Sequence, residues 1–358
     1  MLYRKYRPNN FSEFIGQKHI VLTLKNQILQ NKIAHAYIFS GPRGTGKTTL
    51  ARIFAKAINC LNLKENADPC NLCNNCIAIN QGNFIDFIEI DAASNRGIEE
   101  IRNIIEAVKV RPFMGKKKIF VIDECHSLTK DAANAFLKTL EEPPEYVIFI
   151  LATTEPEKVI PTILSRTQKF QFRYLTSEEI FEKLKKIRES EKIKIDDEAL
   201  RIIAQQANGS LRDAETILDK ILTFSSSKIT REDVEVFFGM VRKDYILKFF
   251  KALKDKNKKE LLEILNNIYL NGYDLVIFID EILRFLRGTA ILKLNPELKN
   301  IILSDFIPED FEEVHNILNA LPISEIQNFI NIFLESYWQI KKEPPILILP
   351  LEIAILKL

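Results

Sequence analysis

The chain predicts an α/β fold built on a doubly wound parallel sheet, followed by two helical domains. Three stretches predict the sheet. The first is GPRGTGKT, Gly41 to Thr48, preceded by a short buried-strand pattern, HAYIFS, from His35 to Ser40. After it the apolar residues Leu50, Ile53, Phe54, Ala57 and Ile58 recur at helical spacing. The second is KKKIFVIDECH, Lys116 to His126: a basic entry, an apolar strand and two adjacent carboxylates. The third is YVIFILATT, which ends on Thr153 and Thr154. Strands alternating with helical stretches build a parallel sheet, and such sheets take ligands at the carboxyl ends of their strands.

The glycine stretch matches G-x-x-x-x-G-K-[ST] at every fixed position, in the strand–loop–helix setting the pattern requires. Gly41, Gly44 and Gly46 permit positive φ. A loop of these glycines with Pro42, Arg43 and Thr45 can then close round a phosphate, its amides pointing inward. The helix start adds the positive end of its dipole. Lys47 can reach the β- and γ-phosphates, and the Thr48 hydroxyl can ligate magnesium. A chance glycine-rich turn is the competing reading, and the flanks speak against it.

An Asp-Glu pair at a strand end supplies two separate jobs beside such a loop. Asp123 would hold magnesium, usually through water, and Glu124 would orient and polarise the attacking water. Acidic strand ends are common, so the pair gains weight from the phosphate loop. Hydrolysis is expected over mere binding, because Glu124 has no obvious structural duty there. Thr154 is the expected γ-phosphate sensor, with Thr153 the alternative; on spacing alone, a Thr capping the next turn explains either. Arg166, in Ser165-Arg166-Thr167, and Arg212, in GSLRDAE at a loop leading into a helix, look in isolation like solvated surface arginines.

Four of the five cysteines, Cys60, Cys70, Cys73 and Cys76, lie in CLNLKENADPCNLCNNC. Four soft ligands at tight local spacing suit a closed tetrahedral zinc site with no open position for chemistry. A disulfide framework is disfavoured in a cytosolic chain, and an iron–sulfur cluster lacks accompanying redox features. Cys125 reads as a packed thiol at the core edge.

With 358 residues, 46% hydrophobic and 27% charged, the composition is that of a soluble globular protein of two or three domains. The longest apolar run, Val147 to Ala152, is far too short to span a bilayer. The start, MLYRKYRP, lacks the apolar core of a secretory signal. A cytoplasmic protein without a membrane partner is expected. Net charge is +2, yet residues 1–172 hold 23 Lys+Arg against 17 Asp+Glu. A phosphate-rich partner would favour that part, although a solvated surface explains the imbalance almost as well. Domain boundaries are expected at 1–173 (with the cysteine module, about 60–80, inserted), 174–239 and 240–358. TSEEIFEKLKKIRES opens the second on a helix cap with a Glu nearby. In the third, Ile246, Phe249, Phe250 and Leu253 share one helical face, and Leu261, Ile264, Leu265 and Ile268 another.

LYRKYRP, GPRGTGKTTLARIFAKAINC, the cysteine cluster, DAASNRGIEEIR, KKIFVIDECHSLT, FLKTLEEPPEYVIFILATTEP, ILSR and GSLRDAE occur in that order. This succession resembles the gamma/tau subunits of bacterial DNA polymerase III, the AAA+ ATPases of the sliding-clamp loader. The resemblance runs to the closing PILILPLEIAILKL, and its most specific part is the zinc insertion behind the phosphate-loop helix. It implies an AAA+ domain, a small helical lid and an all-α collar that holds the oligomer together. It implies ATP bound through Gly41, Gly44, Gly46, Lys47, Thr48 and Thr49, with Asp123 and Glu124 as metal and water carboxylates. It places Thr154 at sensor 1, Arg212 at sensor 2 and Arg166 at the arginine finger that acts on a neighbouring subunit's ATP. Arg7, Pro8, Ile15 and Gly16 would surround the adenine. The usual Ser-Arg-Cys triplet here ends in Thr167.

The implied partners are delta- and delta-prime-type subunits and further copies of the chain in a pentameric ring, the sliding beta clamp and primed DNA. The implied cofactors are ATP, Mg2+ and Zn2+. SNRGIEEIRNIIEAVKVR, from Ser94, resembles the family's channel-facing helix. Ser94, Asn95 and Arg96 could present amides and a cation to DNA phosphates, while Ser94 or Asn95 could equally cap its own helix. Lys116, Lys117 and Lys118 read as a solvated strand entry. The chain ends without a Pro-rich or acidic tail and so resembles the short gamma form. A polymerase label would come from the holoenzyme; no nucleotidyltransferase site is visible. The alternative is another AAA+ DNA remodeller, such as a helicase loader or a branch-migration motor, which would not need the cysteine module.

Overall fold

The computed structural model describes residues 1–95, 97–224, 228–303 and 306–358. Five parallel strands form one sheet: β1 (Ala36–Ser40), β2 (Phe87–Asp91), β3 (Lys118–Asp123), β4 (Val147–Thr153) and β5 (Gln168–Gln171), in the order β2-β3-β4-β1-β5. The inner strands bury almost every side chain because helices cover both faces. Tyr37, Phe39, Val121 and Ile150 pack against helices Lys18–Leu29 and Lys47–Asn59. Their neighbours along the strands, Ile38, Phe120, Ile122 and Phe149, pack against helices Ile98–Val108 and Lys130–Glu141. Alternation along each strand sends successive residues to opposite faces. Ser40 pairs with Thr153 and Asp91 with Asp123, so the carboxyl ends of four strands line up at one edge.

By packing, the chain forms two compact units: Met1–Leu175 with Gly209–Thr216, and Thr176–Asn208 with Ile217–Leu358. Gly209–Thr216 joins the first because the Leu211 amide donates to the Gly44 carbonyl (3.2 Å) and the Leu175 amide to the Gly209 carbonyl (3.1 Å). The second unit is helical among its described residues. Helix Ser177–Glu191 opens on a full capping box of Thr176 and Glu179, and helix Arg231–Phe238 on another of Thr230 and Asp233. The apolar faces marked by Ile246, Phe249, Phe250, Leu253, Leu261, Ile264, Leu265 and Ile268 are buried in one core. Among the described residues, no helix is long and apolar enough to cross a membrane.

Two local expectations are corrected. Helix Ile98–Val108 begins after Gly97 and carries no side-chain cap, so neither Ser94 nor Asn95 caps it. Their amides donate instead to the Asp91 carbonyl (3.2 and 2.9 Å), and Ser94 Oγ donates to Asp91 Oδ2 (3.1 Å). An Asp at the end of β2 supplies the acceptors, and a local turn wins over the cap. Arg96 lies outside the described residues. Lys118 is not solvated. It is buried within β3, with Nζ donating to the Val110 carbonyl (3.3 Å), while the Lys117 and Lys116 amines donate to the carbonyls of Glu145 and Cys60.

The second unit also buries a charged cluster. Arg231 donates to Glu235 (2.5 Å) and Asp310 (2.7 Å), and Lys243 reaches Asp310 (2.9 Å). Beside it, Glu281 Oε2 is out of solvent without a hydrogen-bond partner. Burial first, then the charges of Glu235 and Asp310, push the Glu281 carboxyl up to about 8, against opposition from Arg231 and Arg284. An acid raised on folding binds more protons in the native state between its two values, so stability falls as pH rises from 4.5 towards about 8. Glu281→Gln is therefore expected to flatten urea stability between those limits and to raise the midpoint near pH 8. An unchanged pH profile would contradict this account of the cluster.

Candidate active site

The aligned strand ends open on a cleft of about 800 Å3 in the first unit, lined by Arg43 to Thr49, Asp123, Glu124, Arg212 and the N-terminal residues Arg7, Pro8 and Ile15. Strand β1 runs straight into the glycine loop, whose first amide, Gly41 N, donates to the Thr153 carbonyl at 3.2 Å. Gly44 (φ 77°) and Gly46 (φ 98°) take left-handed backbone conformations. A Cβ on Gly44 would collide with Ser210 Oγ, and one on Gly46 would lie 2.7 Å from Phe14 Cζ. Conformation and space thus both require glycine there.

Lys47 opens helix Lys47–Asn59 and is only 6% exposed. Its ammonium donates to the carbonyls of Gly41 (2.7 Å) and Pro42 (2.8 Å). Burial lowers its pKa, and the nearby charges of Glu124 and Asp123 oppose that shift. Thr48 Oγ1 donates to Asp123 Oδ2 at 2.7 Å, so the two oxygens expected to hold a divalent cation already face one another. Glu124 follows β3 in a left-handed conformation (φ 49°). Its Oε2 accepts from Thr154 Oγ1 (3.0 Å) and the Thr154 amide (3.3 Å). The adjacent Thr153 Oγ1 bonds instead to His126 Nδ1 (2.9 Å), whose Nε2 reaches Glu155 (3.0 Å).

Thr49, Arg7, Pro8 and Ile15 lie on the cleft with the loop. Burial draws the Arg7 pKa down, and the Arg52 charge adds to it. Arg212 stacks its guanidinium 5.1 Å from the Tyr3 ring centre, and both residues line the same cleft. Gly16, Gly41, Pro42, Thr154 and Arg166 stand outside its lining. Gly16 (φ 69°) precedes the buried Gln17, whose side chain bonds both ways with the Arg173 backbone. Arg166 points its guanidinium at Glu141, the Thr162 carbonyl (2.9 Å) and Ser165 Oγ (3.2 Å). Ser94 and Asn95 are exposed on the turn after β2. Sequence reasoning did not find Phe14 and Ser210 against the glycine loop, Tyr3 against Arg212 or His126 against Thr153, because no spacing rule links residues so far apart in the chain.

The thiol sulfurs of Cys60, Cys70, Cys73 and Cys76 all lie within 4.8 Å of one another, and Cys70 and Cys76 are 4.0 Å apart. That exceeds the ~2.05 Å of a disulfide and lies close to the edge, about 3.8 Å, of a tetrahedron of thiolates around zinc. The amides of Leu72 and Cys73 donate to Cys70 Sγ (3.5 and 3.3 Å), and that of Cys70 to Cys60 Sγ (3.3 Å). Burial raises the Cys70 thiol, but the Leu72 and Cys73 amides outweigh it and bring it down to about 6. Burial holds Cys60 and Cys76 high. Four inward sulfurs with amide donors fit a soft divalent metal. Cys125 is buried apart from them, and burial pushes it up to about 12.

Three family descriptions match consecutive segments. "DNA polymerase III, delta subunit" matches residues 16–176, "DNA polymerase III clamp loader subunit, ATPase lid domain" residues 179–227, and "DNA polymerase III subunits gamma and tau domain III" residues 229–358. DNA polymerase III subunit gamma of Buchnera aphidicola subsp. Baizongia pistaciae is 37% identical over 343 residues, 95% of this chain and 89% of that protein. The chain belongs to the DNA polymerase III gamma/tau family. Subunit tau of Bacillus subtilis is 44% identical over 330 residues, 92% of this chain but 58% of the relative, and subunit gamma/tau of Mycoplasma genitalium is 44% identical over 336, with 56% of its length covered. The chain thus spans little more than half of those two gamma/tau relatives. Among solved structures, the Thermotoga maritima RuvB Holliday junction branch migration motor gives a TM-score of 0.48 at 19% identity, over 69% of this chain and 79% of that one.

Gly44→Ala forces a Cβ into a left-handed position against Ser210. Backbone strain of this kind costs about 1–3 kcal/mol; a loop that shifts to relieve it must be restored to bind, so calorimetric affinity for a nucleoside triphosphate should fall about fivefold to a hundredfold. Wild-type affinity in a folded Gly44→Ala variant would contradict the assignment of the loop.

Proposed function

We propose that the chain is an ATPase subunit of a replicative clamp loader, coupling ATP binding and hydrolysis to the loading of a sliding clamp onto primed DNA. The meeting of Lys47, Thr48, Asp123, Glu124 and Arg212 round one cleft, in a gamma/tau family chain, carries this reading. The ammonium of Lys47, now satisfied by two carbonyls of its own loop, would exchange one of them for a phosphate oxygen. Thr48 and Asp123 would hold magnesium, which when bound neutralises charge on the β- and γ-phosphates. Glu124, oriented by the Thr154 hydroxyl and amide, would accept a hydrogen bond from the attacking water, and Thr154 would report the γ-phosphate through the same contact. Arg212 would reach the phosphates, while Arg7, Pro8, Ile15 and Gly16 would bound the adenine.

Arg166 lies off the cleft of its own chain, as expected of a cation that serves a neighbour's nucleotide. We assign it as the finger, and zinc as the metal of the four cysteines. The assembly would be a pentameric ring of copies of this chain with delta- and delta-prime-type subunits, working in the cytoplasm with a sliding clamp and primed DNA. Ser94 and Asn95 would meet DNA phosphates, together with Arg96. The helicase-loader and branch-migration readings have no specific observation in their favour.

Glu124→Gln should lower turnover about 10²–10⁴-fold while ATP affinity holds; turnover at the wild-type rate would remove the water-orienting role. In the assembled ring, Arg166→Ala should reduce turnover about a thousandfold or more with nucleotide affinity nearly intact. Stimulation of ATP turnover only when clamp and primed DNA are both present supports a clamp loader; stimulation by DNA alone would favour a different motor.

A further inference from the structure

The cysteine module does more than close on itself. It lines part of the cleft itself and bonds to two segments that carry other lining residues. From its helix Asn74–Gln81, Ile79 and Asn80 line the cleft beside Pro8, Phe14 and Ile15. Asn80 Oδ1 accepts from the ammonium of Lys56 (2.7 Å), a residue only 2% exposed on the same helix as Lys47. Asn75 Nδ2 donates to the Asn59 carbonyl (2.9 Å), at the last turn of that helix, directly before Cys60. From the module's loop, Asp68 accepts from the Phe11 amide (2.9 Å) and the Ser12 hydroxyl. Asp68 is 4% exposed and so pins the segment that carries Phe14 and Ile15.

The loop that presents Asp68 is turned by its own hydrogen bonds, the Lys64 amide donating to the Asp68 carbonyl (3.1 Å) and the Ala67 amide to the Lys64 carbonyl (2.9 Å), and it stands between two of the cysteines. Ala67 sits at φ 63° with its side chain fully buried, a conformation that an alanine keeps only where its surroundings over-determine it. Cys60 and Cys70 bracket this loop, and the Cys70 amide donates to Cys60 Sγ. With a metal held by Cys60 and Cys70, the ends of this loop would be fixed and the entropy of placing Asp68 would be smaller.

We infer that metal occupancy of the four-cysteine site sets the affinity of the neighbouring cleft for nucleotide, through Asp68 on the N-terminal segment and Asn80 on Lys56. This rests on the reading of the cleft as an ATP site. Asp68 and Asn80 are positioning residues. Linkage is reciprocal, so bound nucleotide must tighten the metal by the same factor.

The test uses the full chain, zinc-loaded or stripped with a chelator, with zinc content measured and the fold monitored by circular dichroism. Mg2+-ATP affinity is read by calorimetry, and zinc affinity is read by equilibrium competition with a chromogenic chelator, with and without ATP. The inference expects stripped protein and zinc-retaining Asp68→Ala each to bind ATP about tenfold more weakly. It expects zinc-retaining Asn80→Ala, shown to be folded, to bind several-fold more weakly, and ATP to tighten zinc by the same factor that stripping costs in ATP affinity. Unchanged ATP affinity in folded stripped protein and in both variants overturns the inference while the ATP site stands. Zinc-loaded wild-type protein that binds no ATP overturns the reading of the cleft itself, and this inference with it.

Discussion

Lys47 carries a positive charge where only 6% of the residue reaches solvent, and two carbonyls of its own loop hold it there. A buried cation needs such partners, because its desolvation is otherwise costly. The loop can supply them only if its glycines take left-handed conformations and leave room for Ser210 and Phe14. That in turn requires β1 to end level with β4, so that the Gly41 amide finds the Thr153 carbonyl. Sheet register, glycine positions and the placement of Asp123 and Glu124 at the next strand end all serve this one charged group. Its pKa is lowered by burial, and the two carboxylates work against that lowering.

The central part of this arrangement was legible in the sequence because local patterns encode it. The phosphate loop, the Asp-Glu strand end and the cysteine spacing each occupy a short stretch whose residue types have few other uses. The edge strands were not legible. Phe87–Asp91 and Gln168–Gln171 are short, half-exposed and mixed in polarity, so they lack the apolar runs that mark Val147–Thr153. The cap reading of Ser94 and Asn95 fails for a related reason: Asp91 offers acceptors three and four residues back, a competition that a cap rule does not weigh. Lys118 shows the same limit, since a lysine beside two others looks solvated until a carbonyl is found for it.

Long-range partners escaped sequence reasoning altogether. Tyr3 under Arg212, Ser210 against Gly44 and His126 on Thr153 depend on the folded path of the chain. Gly209–Thr216 belongs by packing with residues more than 160 positions earlier, while the helix it begins continues into the other unit. Arg166 and Arg212, alike in isolation, part company in the structure. One lines the cleft and the other is held by Glu141 and the Thr162 carbonyl away from it.

The most direct measurement is calorimetric titration of Mg2+-ATP into the wild-type chain and into Lys47→Ala, with both folds verified by circular dichroism. Removal of the buried ammonium should weaken binding at least a hundredfold, in line with the loss of a charge-assisted contact of about 3 kcal/mol. Equal affinity in the two proteins would mean that the triphosphate does not sit on this loop, and the account of the cleft would be wrong.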